Sequence, residues 1–284
     1  MTLKDAIYLN DLKAVEEILN RGTCICGCDI NSNEEARHTL QDLINYHCDF
    51  HFALVSGRAI AHEKYFYSQL GLKPTGFLIG NNGSQIYSLK EQKVIAQWHL
   101  PSNVAQAIYN EVKLLDKKSG KISMLVSYSD EPLAYIYRPD NTWPIYNIND
   151  ILQVRQEFSA NNVLLITIFH LEEQLEEMIA FLHHFNLTYV PGPNLTAITN
   201  GGITKRHAIE YILKKLDVPP NNVAVFGDSK NDISMFEMPG VYSITYQSAK
   251  DYLKKIACDV VDEPVSAFIA TGLKDFVRYL KQHH

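Results

Sequence analysis

Two carboxylates four residues apart occur in the run Gly227-Asp228-Ser229-Lys230-Asn231-Asp232, directly after the apolar stretch Val223-Ala224-Val225-Phe226. Such a pair at a strand-to-helix turn suits a hard divalent cation, since Mg²⁺ takes a few carboxylate oxygens and keeps several waters. The structural alternative is Asp228 as a helix N-cap and Asp232 as a first-turn acid favoured by the helix dipole. Caps alone require neither the glycine nor the asparagine. A second candidate is Ser56-Gly57-Arg58, where a hydroxyl and a glycine precede a helix start and suit a phosphate oxygen. An N-capped turn would read the same way. Lys205 opens the helical stretch TKRHAIEYILKKL after Asn200-Gly201-Gly202, where an ammonium can meet a phosphate or balance a carboxylate cluster. The fourth candidate is the alternation Cys24, Cys26, Cys28. Alternate residues of a strand share one face, and thiolates prefer Zn or Cu(I) to Mg²⁺. Buried cysteine is also an ordinary small apolar residue.

The elements that must hold these residues alternate. Strands are expected at 23–28, 50–57 and 77–87, with helices around 33–46 and 59–70 between them, a βαβ rhythm that implies a parallel sheet. From 201 onward helix and strand alternate again. Between about 90 and 195 the pattern changes to strands such as ISMLVSYS and VLLITIF separated by polar helices, the signature of an inserted α+β domain. The expected organisation is an N-terminal helix over 1–22, a Rossmann-like α/β core over 23–88 and 196–284, and an α+β cap over 89–195. Arg138, Asp140 and Trp143 fall in a cap loop where specificity residues would be sought. In open parallel sheets, ligands bind beyond the carboxyl ends of the strands, so the four candidates lie where a site belongs.

Composition narrows the classes. The 284 residues are 46% hydrophobic and 20% charged, with a formal net charge of −6. That is a globular chain, without the basic footprint of a nucleic-acid or anionic-membrane surface. Cys48 and Cys258 are isolated, and no second Cys/His cluster completes a four-ligand zinc pattern. The acidic, amphipathic start differs from a signal peptide, so a cytoplasmic protein with reduced thiols is expected, with neither nucleic acid nor membrane as partner.

In chain order, Ser56-Gly57-Arg58, Asn81-Asn82-Gly83, Lys205 at a helix start and Gly227-Asp228-Ser229-Lys230-Asn231-Asp232 resemble the haloacid dehalogenase (HAD) superfamily. The likeness is strongest to its capped Cof-like and sucrose-phosphate phosphatase groups. DFHFALVSGR and MFEMPGVYSITYQSAKDYLKK look closest to the latter. The resemblance implies Mg²⁺ and a phosphorylated small-molecule substrate such as a sugar phosphate. It also implies a first strand ending in Asp-x-Asp-Gly-Thr, whose first aspartate attacks phosphorus and whose second is general acid and base. Here that strand reads Cys24-Ile25-Cys26-Gly27-Cys28, with Cys24 lying 32 residues before Ser56. The expected assignment is therefore Cys24, Cys26 and Lys205 at the catalytic positions, Ser56, Gly57 and Asn231 on the phosphate, and Asp228 and Asp232 on the metal. With thiols for carboxylates, ordinary aspartyl-phosphate activity is expected to be lost or low and Mg²⁺ held weakly or not at all. Two alternatives stand beside this: an active phosphatase using Asp29 or a Cys24 thiolate, and a redox or soft-metal sensor built on the three cysteines.

Overall fold

A computed structural model describes residues 23–26, 38, 41, 51–130, 133–137, 153–192, 194–262 and 268–283, with the side chains of 23–26 outside the description. The expected N-terminal helix, Gly27 to Asn31, and the loop of Arg138, Asp140 and Trp143 lie outside the described residues.

The core strands are β1 (Thr23–Cys26), β2 (His51–Val55), β3 (Phe77–Gly80), β4 (Gln85–Ser88) and β5 (Lys93–Gln97), followed after the insertion by β12 (Val223–Phe226), β13 (Tyr242–Tyr246) and β14 (Asp259–Val261). They form one sheet in the order β14-β13-β12-β1-β2-β3-β4-β5. It is parallel from β14 to β3, and β3-β4-β5 is an antiparallel meander. The central strands read as unbroken apolar runs because both faces are covered. Phe52, Leu54, Ala224 and Phe226 pack with α1 (Ile60–Gln69) and the last helix, while Ala53, Val55, Val223 and Val225 pack on the opposite side. Full burial of a side chain such as Phe226 or Ile209 contributes about 1.5–3 kcal/mol.

The insertion has its own sheet, β10-β11-β9-β6-β7-β8, from β6 (Ser123–Tyr128), β7 (Leu133–Tyr137), β8 (Gln153–Arg155), β9 (Val163–Phe169), β10 (Leu187–Pro191) and β11 (Leu195–Asn200). Helices α2 (Ser102–Ser119) and α3 (Leu175–Leu182) bury its inner face, which includes Ile166, Ile168 and Ile198. Two expected boundaries move. β5 belongs to the core sheet, so the core continues to Gln97, and β11 belongs to the cap sheet, so residues 196–200 are cap. The reason is non-local pairing: 93–97 closes a hairpin against β4, and 195–200 pairs with β9 and β10.

The chain returns to the core through Ile203 into α4 (Lys205–Leu216), then passes α5 (Ile233–Phe236), α6 (Asp251–Lys254) and α7 (Phe268–His283). Thr204 caps α4, its hydroxyl accepting the amide of His207 at 3.2 Å. Ala208, Ile209, Ile212 and Leu213 give that helix its buried stripe. Both chain crossings between core and cap meet the turn after β3: Trp98 N donates to Ser84 O at 2.9 Å, and Gly83 lies against Thr204. Gly83 has φ +99°, and a Cβ there would sit 2.1 Å from the Thr204 carbonyl oxygen. Among the described residues no helix is long and apolar enough to cross a membrane.

Gly83→Ala combines a left-handed backbone with a backbone clash. It is expected to cost about 2–4 kcal/mol of unfolding free energy, measured by urea denaturation.

Candidate functional site

The exits of β2 and β12 and the start of α4 converge beside the central strand, at the point where strand order reverses. The turn after β2 is held by backbone: Ser56 N donates to Ile79 O at 2.8 Å, Asn82 N to Ser56 O at 3.0 Å, and Asn81 N to Arg58 O at 2.7 Å. The Ser56 hydroxyl accepts from Arg58 N at 3.1 Å. Gly57 lets the turn pack closely, since a Cβ would meet Asn82 Oδ1 at 3.0 Å and Asn231 Nδ2 at 3.5 Å. Asn81 and Asn82 both have φ +54°, a left-handed conformation that asparagine tolerates better than most residues.

The loop after β12 is organised around Asp232, which is fully buried. Its Oδ1 accepts from Lys205 Nζ at 2.6 Å, and its Oδ2 accepts from the amides of Asp228 at 3.0 Å and Ser229 at 2.9 Å. Lys205 is itself only 3% exposed. The Ser229 hydroxyl lies 2.6 Å from Asn231 Oδ1 and 3.0 Å from Asp232 Oδ2, and its single proton serves one of them. Asn231 Nδ2 donates to Asn82 Oδ1 at 2.9 Å, which ties the β12 loop to the β3 loop. The structure thus brings together Ser56, Gly57, Lys205, Asp228, Asn231 and Asp232. Asn82 was missed by the sequence assignment, although the Asn-Asn-Gly turn after a strand was a signal for it.

Asp228 is the unsaturated member. Burial raises its pKa, the neighbouring Asp232 charge raises it further, and Lys205 and a 3.4 Å contact from Tyr246 Oη only partly oppose them. A carboxylate whose charge is undercompensated fits a cation, so Asp228 suits the Mg²⁺ that this fold implies. Asp232 has its charge matched by Lys205 and its Oδ2 filled by two amides, so of the two carboxylates Asp228 is the better placed to hold a cation. Among the described residues no three acidic, histidine or cysteine groups cluster as a metal site.

The register corrects the assignment of Cys24 and Cys26. β1 does lie between β2 and β12, the position of the expected catalytic strand. Cys26, however, is level with Leu54 and Phe226, and Cys24 with Phe52 and Ala224. Cys26 is two residues short of Ser56 and Asp228, and Cys24 four short. At about 3.3 Å per residue, Cys24 sits roughly 13 Å below the loops that carry the other groups. Gly27 and the length of the segment before Ser56 carry no information on strand register.

Between core and cap the structure holds cavities of ≈ 480 Å³ and ≈ 260 Å³ that share Asn82, Val190, Pro191, Ala197, Lys230 and Asn231 as walls. Lys230 Nζ donates to the cap carbonyl of Pro191 at 2.5 Å, tying the β12 loop to β10. Leu125, Ala134 and Ile136 of the cap also pack with Ala59 and Ala61 at the start of α1.

Fold and site together define a capped Rossmann-like α/β protein with a hydroxyl, an ammonium and carboxylates gathered at its switch point. The chain belongs to the haloacid dehalogenase-like hydrolase family, whose profile matches residues 27–269. That match begins one residue after Cys26. A Mycoplasma pneumoniae protein named "Putative phosphatase" is 24% identical over 242 residues, 80% of this chain and 83% of that one. The same fold occurs in the HAD subclass IIB sugar phosphatase BT4131, with TM-score 0.70 and 17% identity over 90% of this chain and 98% of that one. A haloacid dehalogenase-like hydrolase from Bacteroides thetaiotaomicron gives TM-score 0.71 and 17% identity over 89% and 98% of the two chains.

Two outcomes follow from the loop. Lys205→Met leaves the Asp232 carboxylate buried without its cation and is expected to cost about 3–5 kcal/mol in urea unfolding. Asp228→Asn, measured in chelator, acts with the opposite sign. A carboxyl whose native pKa is raised makes the fold less stable as pH climbs through the ordinary carboxylate range, so the amide is expected to stabilise at neutral pH. That gain disappears as the pH falls below the unfolded carboxyl pKa, which a pH series of denaturation midpoints reads directly.

Proposed function

We propose that the protein binds the phosphate of a small phosphomonoester between the β2, α4 and β12 loops and hydrolyses it slowly, because the first strand lacks a complete pair of carboxylates. The observation that carries this is the β1 register together with the sequence beyond it. Cys24 and Cys26 fall below the level of Ser56 and Asp228. In Thr23-Cys24-Ile25-Cys26-Gly27-Cys28-Asp29-Ile30-Asn31 the only acid is Asp29, with an amide two residues later. Whichever residue takes the nucleophile's place, two carboxylates are not available. The start of the family match at Gly27 favours Asp29 over Cys24.

In this reading the Ser56 hydroxyl and the amide of Gly57 receive phosphate oxygens, and the Asn231 amide, braced by Asn82, orients them. The Lys205 ammonium, fixed by Asp232, adds positive potential at the same place. Asp29 attacks phosphorus and the P–O bond to the leaving alcohol breaks, water then cleaves the aspartyl-phosphate to free Asp29 and inorganic phosphate, and in the first of these steps the departing oxygen needs a proton. A carboxyl two residues on would supply it, and Asn31 has none to give. General acid–base catalysis contributes roughly 10²–10⁴-fold, so its absence is enough to make turnover slow while leaving binding intact. A Mg²⁺ at Asp228, when bound, would neutralise charge on the transferring phosphoryl group.

With Mg²⁺ and phenyl phosphate, whose poor leaving group needs a proton, the wild type is expected to turn over slowly. Asn31→Asp is expected to raise kcat by about 10²-fold and Asp29→Asn to abolish the reaction. Cys24→Ser is expected to leave it unchanged. Activity lost in Cys24→Ser but retained in Asp29→Asn would replace this reading with a thiolate mechanism.

A further inference from the structure

The ≈ 480 Å³ cavity has two unlike walls. Its floor is the core: Gly57, Asn82, Ser229, Lys230 and Asn231, which are amides, a hydroxyl and an ammonium. Its roof is the open face of the cap sheet. Along β9 and β11 the side chains alternate: Ile166, Ile168 and Ile198 point into the cap core, while Leu165 and Ala197 face the cavity. Val190, Pro191 and Leu195 complete the apolar roof. Thr167 and Asn194 are its neutral polar side chains, and no acidic or basic side chain of the described cap residues lines it. The hydroxyls nearest the hinge are committed within the cap: Thr199 Oγ1 donates to Ile203 O at 2.8 Å and Thr188 Oγ1 accepts from Gly202 N at 2.9 Å.

We infer that the alcohol carried by the phosphate is a compact neutral group with an apolar face, of aryl or branched-alkyl type, rather than a polyhydroxylated sugar. The inference rests on the phosphate-ester reading above and names the class of its leaving group. A phosphate seated on the polar floor projects its ester carbon toward the roof. There a ring or a branched chain gains by leaving water, whereas to the several hydroxyls of a sugar the described residues of this roof offer two neutral polar side chains, Thr167 and Asn194. The volume lies within the range of pockets for small organic ligands, roughly 300–1,000 Å³. The charged residue that lines this cavity, Lys230, belongs to the floor and is tied to the Pro191 carbonyl.

Binding of non-hydrolysable phosphonates, measured calorimetrically with Mg²⁺ present, separates the possibilities without relying on turnover. Phenylphosphonate is expected to bind at least tenfold more tightly than methylphosphonate and at least tenfold more tightly than the methylene-phosphonate analogue of glucose 6-phosphate. In Leu165→Asn and, independently, in the less buried Val190→Asn, the phenyl-to-methyl preference is expected to collapse below threefold. That preference is a ratio taken on one protein, so partial unfolding of a variant lowers both affinities alike. Equal affinity for phenyl- and methylphosphonate, tighter binding of the sugar analogue, or a preference that survives in both variants overturns the leaving-group class alone. Failure to bind any phosphonate or inorganic phosphate overturns the phosphate-ester reading and this inference with it.

Discussion

The buried pair of Lys205 and Asp232 is the constraint on which the rest of the site depends. Two charges removed from water are tolerable only with close geometry and with every remaining lone pair and proton matched, and the loop after β12 is shaped to meet that demand. The amides of Asp228 and Ser229 turn inward to serve Asp232. This fixes the backbone of the loop, places Asn231 against Asn82, and leaves the Asp228 carboxylate short of positive charge. Gly227 is part of the same arrangement, since a Cβ there would meet Asp232 Cβ at 2.6 Å. The ion pair thus converts one helix start and one strand exit into a rigid corner, against which the β2 turn and the β3 turn assemble.

Much of this was legible in the sequence because the relevant signals are local. Gly-Asp-Ser-Lys-Asn-Asp after an apolar run specifies a strand, a turn and a helix start. Ser-Gly-Arg after another such run does the same, and the alternation of strands and helices carries the parallel sheet. What stayed hidden is non-local. Whether Asp232 spends its charge on a metal or on Lys205 depends on a partner 27 residues away in sequence, and the Asn82 to Asn231 contact spans 149 residues. Strand register was equally out of reach. The glycine of Cys26-Gly27-Cys28 suggested one alignment of the first strand, whereas pairing with β2 and β12 puts Cys24 well below the site.

Domain boundaries failed for a related reason. β5 is partly exposed along its length, as an edge strand can be, and its short apolar centre Val94-Ile95-Ala96 does not by itself say which sheet it joins. β11, rich in threonine, looked like a lead-in to the returning core but is inserted between β9 and β10 of the cap. The two-residue period of β9 also decides what the cleft can hold, because one set of residues fills the cap interior and the other set becomes its ceiling.

The turn at Gly83 and Ser84 has a consequence for divergence. Both crossings of the chain between core and cap rest on it through main-chain atoms, one by the Trp98 amide and one by close approach to the Thr204 carbonyl. A joint made from peptide groups and the lack of one side chain stores little of its information in residue identity. Side chains on either side are therefore at liberty to drift under selection for different substrates while the mounting of cap on core is inherited unchanged. That offers a physical route by which a fold can be kept at 17% identity over nine-tenths of the chain.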